Sequence, residues 1–413
     1  RPERSPMATP AEKPPVLIAG AGPVGLIAAV ALAQREVPVI VLEAGARLYE
    51  DPRAATTHPA TLEMLDDLGL LAEMERQGLQ CRHFRYWDRV TREMVAHFDL
   101  DLLKHDCRFP YVVQCEQFKT ASIAFDALAA LPGSEVRFSH RVTGLAQTGD
   151  GLTVTMETPG GPEELAGAYL IGADGGRSEV RKELGIEFEG ITYPENFLVL
   201  TSPFDFQAHE DLVYRNYFFD PDEWCNLFKV AADGPPGLWR AVFPADPERA
   251  DEEVLSGANA QATLKRFFPK DGSYEIVHRN LYKIHQRVAV AFRQGRALLA
   301  GDSAHLNNSI GGMGLNGGIH DAVNLAEKLA RVWKGEAGDE LLDLYDRQRR
   351  ITNKEFIQAQ TIQNKKTLEE RDLAARQKSM DELRRISEDP ERARQFMLRT
   401  SLIASVRRAA EIT

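Results

Sequence analysis

The apolar positions near the beginning of the chain follow the order strand, helix, strand. Val16–Ala19 are apolar without a break, as expected for a parallel strand that is covered on both faces. Apolar residues then recur at helical spacing from Val24 to Ala31, and residues 39–42 form a second apolar run. This order predicts a βαβ unit whose helix begins inside the glycine-rich stretch "GAGPVG".

The pattern changes twice further along the chain. Helical spacing covers residues 61–80 and 118–131, while "HFRYWDRVTREMVAHFDL" alternates around a turn and predicts a hairpin. Residues 188–282 contain aromatic-rich strands, one helix near 258–268 and few βαβ signals, which is typical of an antiparallel sheet. Beyond residue 339 the chain is strongly charged and helical.

These patterns predict an α/β protein with a Rossmann-like domain, an antiparallel-sheet domain and C-terminal helices. We expect the Rossmann-like domain to be discontinuous. The expected ranges are 14–80, 101–186 and 285–340 for the Rossmann-like domain, 81–100 and 187–284 for the sheet domain, and 341–413 for the C-terminal helical segment.

Composition narrows the class of protein. The 413 residues are 43% hydrophobic and 27% charged, as in ordinary globular chains, and they suffice for two or three domains. A net charge of -11 argues against nucleic acid or an anionic membrane as partner. Four cysteines without a CxxC pair favour a reducing cytoplasm. Residues 1–15 lack the apolar stretch of a secretory signal, and Met7 is a candidate natural start, so whether residues 1–6 are native stays open.

The motif Gly20-Ala-Gly22-Pro-Val-Gly25 lies between the first strand and its helix. The first glycine permits a tight turn, the second lets the backbone approach a pyrophosphate, and the third allows close packing of helix on strand. Glu43 ends the second strand, where a carboxylate can accept hydrogen bonds from a ribose. The unit predicts dinucleotide binding and leaves both NAD and FAD open; a purely structural turn is the alternative.

Two further glycine-aspartate turns decide between NAD and FAD. Asp174 and Gly175 follow the strand in "YLIGADGGRS", and Asp302 follows the strand in "LLAGDSAHLNNSIGGMGLNGG". Each could be a plain strand-to-helix turn. Together with the first motif, however, the set resembles the class A flavoprotein aromatic hydroxylases, typified by p-hydroxybenzoate hydroxylase. The length and tail look closer to the hydroxyphenyl-acid and hydroxypyridine hydroxylases. The resemblance implies a GR2-type FAD-binding fold.

The resemblance also implies roles for single residues. It places Gly20, Gly22 and Gly25 at the FAD pyrophosphate and Glu43 at the adenosine ribose. It places Arg53 beside the FAD, and either Gln117 or Gln114 at the ribityl chain. Asp174 and Gly175 match a motif associated with FAD and NAD(P)H, near which Arg177 could contact the pyridine nucleotide. Asp302 matches the ribityl position, and Gly314, Leu315 and Asn316 match the edge of the flavin ring.

The implied activity is hydroxylation of a phenolic or hydroxylated heteroaromatic substrate through a C4a-hydroperoxyflavin. FAD would be tightly bound, NADH or NADPH and O2 would be consumed, and a homodimer is an open alternative to a monomer. No side chain is required as a catalyst, and His305 and His285 are only weak candidates. Tyr217 and Arg240 are weak candidates for substrate contact. Epoxidation or oxidative tailoring of a polycyclic aromatic, and ligand sensing without turnover, are the other functions considered. No metal is expected.

One departure from the family concerns the loop after His305. The family usually has a pair of prolines there, whereas this chain has Asn308 and Ser309. Two consequences are open from the sequence. The loop could be more flexible than in relatives, or its amides could face the substrate.

Overall fold

A computed structural model describes residues 13–51 and 54–413 of the chain. Met7 and Arg53, both singled out from the sequence, lie outside the described residues.

Most of the sheet structure belongs to two large sheets. The strands are β1 Val16–Ala19, β2 Val39–Glu43, β3 Thr56–Thr57, β4 Leu79–Cys81, β5 His83–Asp88, β6 Met94–Asp99, β7 Val112–Gln114, β8 Ser134–Phe138, β9 Arg141–Gln147, β10 Leu152–Thr158, β11 Gly161–Gly167, β12 Tyr169–Gly172, β13 Phe188–Ser202, β14 Arg215–Phe219, β15 Cys225–Val230, β16 Leu238–Ala245, β17 His278–Ala289, β18 Arg293–Gln294, β19 Ala297–Leu299 and β20 His305–Leu306.

Helices connect and cover these sheets. They are α1 Pro23–Ala33, α2 Pro59–Asp67, α3 Leu71–Gln77, α4 Gln117–Ala129, α5 Glu179–Glu183, α6 Asp251–Val254, α7 Gly257–Phe267, α8 Met313–Lys334, α9 Glu340–Thr352, α10 Ala359–Leu368, α11 Leu373–Glu388, α12 Pro390–Thr400 and α13 Ile403–Glu411. A π-helical turn, Asn353–Gln358, joins α9 to α10. The helix predicted over 61–80 is in fact two short helices and a strand, because Gly69 adopts a positive φ of 74° between them.

The first sheet confirms the predicted βαβ unit. Its six strands lie in the order β18-β19-β12-β1-β2-β8, and β1 pairs in parallel with both β12 and β2. Every residue of β1 is buried, as its continuous apolar run predicts. Helix α1 packs against α8, so the N-terminal motif and the glycine-rich stretch after residue 300 meet in one layer.

The second sheet has eight strands in the order β20-β17-β13-β16-β15-β14-β5-β6. The expectation of an antiparallel sheet is correct for most pairs and wrong for β14 and β5, which are parallel. The reason is that the β5–β6 hairpin, from an early part of the chain, is added beside β14 at one edge. The domain boundary expected between 284 and 285 falls inside β17; the division into domains stays a prediction.

The second sheet is covered on both faces. On one face, Phe206, Trp239 and Phe267 belong to a core that includes α7. On the other face, Phe98, Trp224 and Met397 belong to a core shared with the C-terminal helices. Along β14, Phe218 therefore faces the core that includes α7, whereas Tyr217 and Phe219 face the core shared with the C-terminal helices. No helix within 13–51 or 54–413 combines the length and apolar character needed to cross a membrane.

Candidate active site

A cleft opens where β1 and β2 end, and we call it the N-terminal cleft. Its volume is about 320 Å³. All three glycines of the motif lie around it: Gly20 and Gly22 line it, and Gly25 packs directly behind Gly20. Because α1 begins at Pro23, its N-terminal amides point toward this cleft. The cleft is thus suited to an anion such as a pyrophosphate.

The three glycines differ in what a side chain would meet. Gly20 has a φ of 103°, and a Cβ there would lie 2.4 Å from the carbonyl oxygen of Ala173. A Cβ at Gly25 would lie 2.1 Å from the carbonyl oxygen of Gly20. A Cβ at Gly22 would have no protein atom within 4 Å. Gly20 and Gly25 are therefore required by the fold, whereas Gly22 leaves open space on the side of the cleft.

Glu43 also lines the N-terminal cleft. Its Oε2 accepts a hydrogen bond of 2.7 Å from the amide of Ala21, and its Oε1 accepts one of 2.7 Å from the amide of Gly45. These bonds fix the carboxylate at the end of β2. Each oxygen keeps a second lone pair for a ligand hydroxyl.

Asp174 lies beside the cleft but is engaged with the protein itself. Its carboxylate accepts hydrogen bonds from the hydroxyls of Ser178 and Ser303 and from the amides of Glu179 and Val180. The side chain therefore stabilises the beginning of α5 and joins that turn to residue 303. Gly175 has a φ of 80° and lines the cleft with its backbone.

A second cavity adjoins the first, and we call it the central cavity. It has a volume of about 270 Å³ and lies between β13–β17 of the eight-stranded sheet and the loop before α8. Gln117, Asp302, Gly314 and Leu315 line both the central cavity and the N-terminal cleft. The two spaces are therefore neighbours, and the four residues stand at their boundary.

The structure separates the two glutamines left open by the sequence. Gln117 begins α4 and lines both spaces. Gln114 is fully buried on β7, where its Oε1 accepts a hydrogen bond from the hydroxyl of Thr56. Gln117 is thus the residue placed to contact a ligand.

Asn316 is placed differently from its neighbours in the sequence. Its side chain is fully buried and lines neither cavity. Its Oδ1 accepts from the amide of His58, and its Nδ2 donates to the carbonyl oxygens of Thr56 and Gly312. The amide therefore holds the beginning of α8 against β3. Asn316 can therefore affect a ligand only indirectly, by fixing the positions of Gly314 and Leu315, which line both cavities.

The loop from residue 306 to 312 is held by Asn308. This side chain is fully buried; its Nδ2 donates to Oε1 of Gln286 at 3.1 Å and to the carbonyl oxygen of Thr361 at 2.9 Å. Its Oδ1 accepts from the amide of Ile310 at 3.1 Å. The side-chain amide thus holds the loop against β17 and α10. Ser309 is exposed and lines the central cavity.

The two histidines considered as catalysts occupy different places. His305 is 1% exposed, and its Nε2 lies 2.7 Å from Oδ2 of Asp321, which also binds Arg349. Burial by itself raises the pKa of Asp321, but the interactions with His305 and Arg349 outweigh burial, and the pKa lies below its ordinary value. His305 lines neither cavity and belongs to this buried ion cluster. His285 does line the central cavity, and burial together with Arg287 lowers its pKa.

Arg215 was missed by the sequence analysis and is a prominent group in the central cavity. It is 6% exposed and lines the cavity wall, and its Nη2 donates to the hydroxyl of Tyr217 at 2.9 Å. Its guanidinium lies 5.3 Å from the ring centre of Phe84. Within 13–51 and 54–413, Arg215 forms no ion pair with a carboxylate. The signal in the sequence is its spacing of two from Tyr217, which puts both residues on one face of β14.

The groups around Arg215 are neutral at pH 7. Burial, aided by Arg215, lowers the pKa of His58 to about 3. Burial raises the pKa of the Cys81 thiol to about 11, although Arg215 acts in the opposite direction. Burial likewise raises the pKa of Tyr86. This end of the central cavity therefore carries a positive charge that these neighbours do not neutralise.

Arg240, the arginine selected from the sequence, also lines the central cavity. It is 2% exposed, and its guanidinium lies 5.5 Å from the ring centre of Phe228. Its surroundings differ from those of Arg215, because the acidic side chains Glu116 and Asp51 interact with it electrostatically. Carboxylates are therefore among the electrostatic neighbours of Arg240, whereas those of Arg215 are Tyr217, Cys81 and Tyr86.

Comparison with known proteins identifies the family. The FAD binding domain family matches residues 13–360. The chain belongs to this family. Para-nitrophenol 4-monooxygenase of Pseudomonas sp. strain WBC-3 is 34% identical over 386 residues, which are 93% of this chain and 94% of that protein. The 6-hydroxy-3-succinoylpyridine 3-monooxygenase of Pseudomonas putida strain S16 is 34% identical over 364 residues, 86% of this chain and 88% of that protein.

A solved structure extends the likeness to the whole fold of this FAD-binding family member. The crystal structure of p-nitrophenol 4-monooxygenase from Pseudomonas putida DLL-E4 superposes with a TM-score of 0.88 at 32% identity, covering 94% of this chain and 97% of that one. The chain is therefore an FAD-dependent aromatic monooxygenase, as the resemblance implied. Its N-terminal cleft fits the cofactor, because it combines a helix N-terminus, the open side of Gly22 and the carboxylate of Glu43.

Proposed function

We propose that this monooxygenase uses NAD(P)H and O2 to hydroxylate a small phenol or hydroxypyridine that binds as an anion in the central cavity. The observation that carries the proposal is the buried guanidinium of Arg215 on the wall of that cavity. A buried charge costs several kcal/mol unless an ion of opposite sign pairs with it. A phenolate or carboxylate oxygen of the substrate supplies that partner.

Tyr217 completes the contact. Its hydroxyl oxygen accepts the N–H of Arg215, so its own O–H proton remains to be donated to the substrate oxygen. A positive charge beside a phenol lowers the pKa of that phenol. Because a phenolate is a stronger nucleophile than the phenol, Arg215 both binds the substrate and favours its reactive form. The relatives named for nitrophenol and hydroxypyridine substrates support this substrate class.

The size of the central cavity favours a single aromatic ring. Its volume of about 270 Å³ lies just below the usual range for ligand pockets, roughly 300–1,000 Å³. A polycyclic substrate would need more of the space that the flavin ring also requires. We therefore place tailoring of polycyclic aromatics second.

The chain's own residues would hold the FAD as follows. The amides at Gly22 and at the beginning of α1 bind the pyrophosphate, and Glu43 binds the ribose. Gln117 and Asp302, at the boundary of the two spaces, bind the ribityl chain. The amides at the N-terminus of α8, around Gly314, face the flavin ring and favour negative charge there. The bound flavin supplies the redox chemistry with oxygen, while the protein orients the substrate and excludes water.

Binding of 4-nitrophenol tests the role of Arg215, because this ligand is yellow only as the phenolate. FAD-loaded protein is titrated with the ligand at several pH values, without reductant. We expect the bound ligand to remain ionised at least about one pH unit below the free ligand. In Arg215→Met this shift should disappear, and the affinity for 4-nitrophenol should fall about tenfold or more. Arg215→Lys keeps the positive charge and should retain part of the ionisation shift and part of the affinity.

Lys283→Met is the matched control. Lys283 lines the central cavity but is exposed to solvent. Its substitution therefore also removes one positive charge, but a charge that is not buried. It should change affinity by less than about twofold because surface charges are screened. An unchanged ionisation shift in Arg215→Met would contradict the assignment. Oxidation of NADH or NADPH with a panel of phenols and hydroxypyridines, with analysis of the hydroxylated product, tests the reaction itself.

A further inference from the structure

A third space lies beneath the C-terminal helices, and we call it the outer cavity. Its volume is about 450 Å³. One wall is aromatic and comes from β5 and β14: Tyr86, Tyr217 and Phe219. The opposite wall comes from α10, α11 and α12, where Ala375, Ser379, Leu383 and Ile386 line one face of α11. The cofactor and substrate contacts proposed above leave this space without a role.

The outer cavity and the central cavity are connected through shared residues. Tyr217 lines both, and a small void of about 20 Å³ lies between them. This void shares Tyr86 and Asn364 with the outer cavity, and it shares Arg215 and Met313 with the central cavity. A continuous series of spaces therefore leads from the C-terminal helices to the proposed substrate site.

The aromatic rings follow the same route. Phe219 and Tyr86 are stacked with ring centres 5.5 Å apart, and Tyr86 and Tyr217 are stacked with ring centres 5.1 Å apart. Beyond Tyr217 lies Arg215, which donates a hydrogen bond to its hydroxyl. A flat aromatic ligand that enters the outer cavity would thus meet ring faces until it reaches the guanidinium.

The route is closed in this conformation at Tyr217. A void of about 20 Å³ holds little more than one water molecule, whereas a cavity that accepts benzene measures about 150 Å³. The hydrogen bond from Arg215 and the stack on Tyr86 hold the Tyr217 side chain in the passage. Rotation of this one side chain would join the two cavities.

The other side of the central cavity is assigned to the cofactor. Gln117, Asp302 and Leu315 stand between the central cavity and the N-terminal cleft, so FAD held by them would obstruct that entrance. We propose that the outer cavity is the entry port for the aromatic substrate and that Tyr217 is the gate between this port and the central cavity. This inference rests on the proposed function, because the occupant of the port is the same anionic phenol.

The test places a large side chain at the port, far from the substrate site. Ala375 on α11 lines the outer cavity, whereas its neighbour Ala374 is exposed and lines none of the cavities described here. Ala375→Trp and Ala374→Trp therefore make the same substitution in the same helix. Binding of 4-nitrophenol to the FAD-loaded protein is followed by stopped-flow absorbance, which yields the association and dissociation rate constants.

We expect Ala375→Trp to lower both rate constants by the same factor, about tenfold, with the dissociation constant changed less than twofold. A port residue obstructs entry and exit equally, whereas damage to the substrate site would change affinity. Ala374→Trp should behave like the unaltered protein. If Ala375→Trp does not fold or load FAD, Ser379→Trp replaces it, with exposed Gln377→Trp as control.

Three results would overturn the inference. Unchanged rate constants in the port variants would show that the ligand enters elsewhere. Equal slowing in the port and control variants would show a general effect of altering α11. If the unaltered holoenzyme binds no phenol or hydroxypyridine, the proposed function fails and the port loses its occupant. If the port variants bind 4-nitrophenol with unchanged affinity and unchanged rate constants, the entry port is rejected while the proposed function stands.

Discussion

Replacement of Asn308 by alanine should release the loop that faces the central cavity. The side chain makes three buried hydrogen bonds, to Gln286, Thr361 and Ile310, at 2.9–3.1 Å. Alanine removes all three and leaves the amide of Ile310 without its acceptor. A lost hydrogen bond costs about 1 kcal/mol, and an unsatisfied buried group costs about 1–3 kcal/mol. Two lost bonds and one unsatisfied amide therefore predict a local destabilisation of about 3–5 kcal/mol.

Hydrogen exchange of the Ile310 amide measures this cost where it arises. A loss of about 3–5 kcal/mol corresponds to exchange that is roughly 150-fold to 5,000-fold faster when the amide exchanges through local opening. Asn308→Pro should also lose the bond from the Asn308 amide to Gln286, so proline should not rescue the loop. Exposed Ser309→Ala is the control and should stay within about 0.5 kcal/mol. Unchanged exchange in Asn308→Ala would refute the idea that this side chain supports the loop.

Further predictions concern the cofactor and pH. Gly22→Ala should weaken FAD binding and leave the thermal midpoint of the apo-protein unchanged, because a Cβ there meets no protein atom within 4 Å. Gly25→Ala should lower both the thermal midpoint and the affinity for FAD, because its Cβ would lie 2.1 Å from the carbonyl oxygen of Gly20. Asp302→Ala should weaken FAD retention on gel filtration; stoichiometric flavin would contradict its assignment. Burial lowers the pKa of His58 and of His320 to about 3. Their contribution to stability is therefore complete above about pH 6.5 and is lost as the pH falls toward 3, by about 1.4 kcal/mol per pH unit for each histidine. Urea unfolding at pH 7 and pH 5 should show a smaller loss in His320→Gln than in the unaltered chain.

The parts of the site that depend on neighbouring residues were predictable from the sequence. The motif from Gly20 to Gly25 lies within one turn, so its strand, turn and helix could be read directly, and the family match confirms FAD as the cofactor. Spacing alone could not decide between Gln114 and Gln117. The buried position of Gln114 involves a hydrogen bond from Thr56, which is 58 residues away along the chain.

Long-range packing explains what the sequence analysis missed. Arg240 was selected because aromatic residues surround it in the sequence, but the acids near it come from residues 51 and 116. The exceptional feature of Arg215 is that the nearby ionisable groups His58, Cys81 and Tyr86 are neutral, and this is a property of three other segments. Likewise, the parallel pairing of β5 with β14 follows from a hairpin that joins the sheet from a distant part of the chain.

The central place of β1 in its sheet has a consequence for biosynthesis. A ribosome makes β1 well before its second neighbour β12, which begins at Tyr169, and well before α8, which packs on α1 and begins only at Met313. Until those segments emerge, the apolar strand and helix of the cofactor motif lack most of their cover, a state prone to aggregation. The boundary residues Gly314 and Leu315 also emerge at that late stage. Flavin capture therefore follows the emergence of α8, and nascent chains arrested before α8 should carry no flavin.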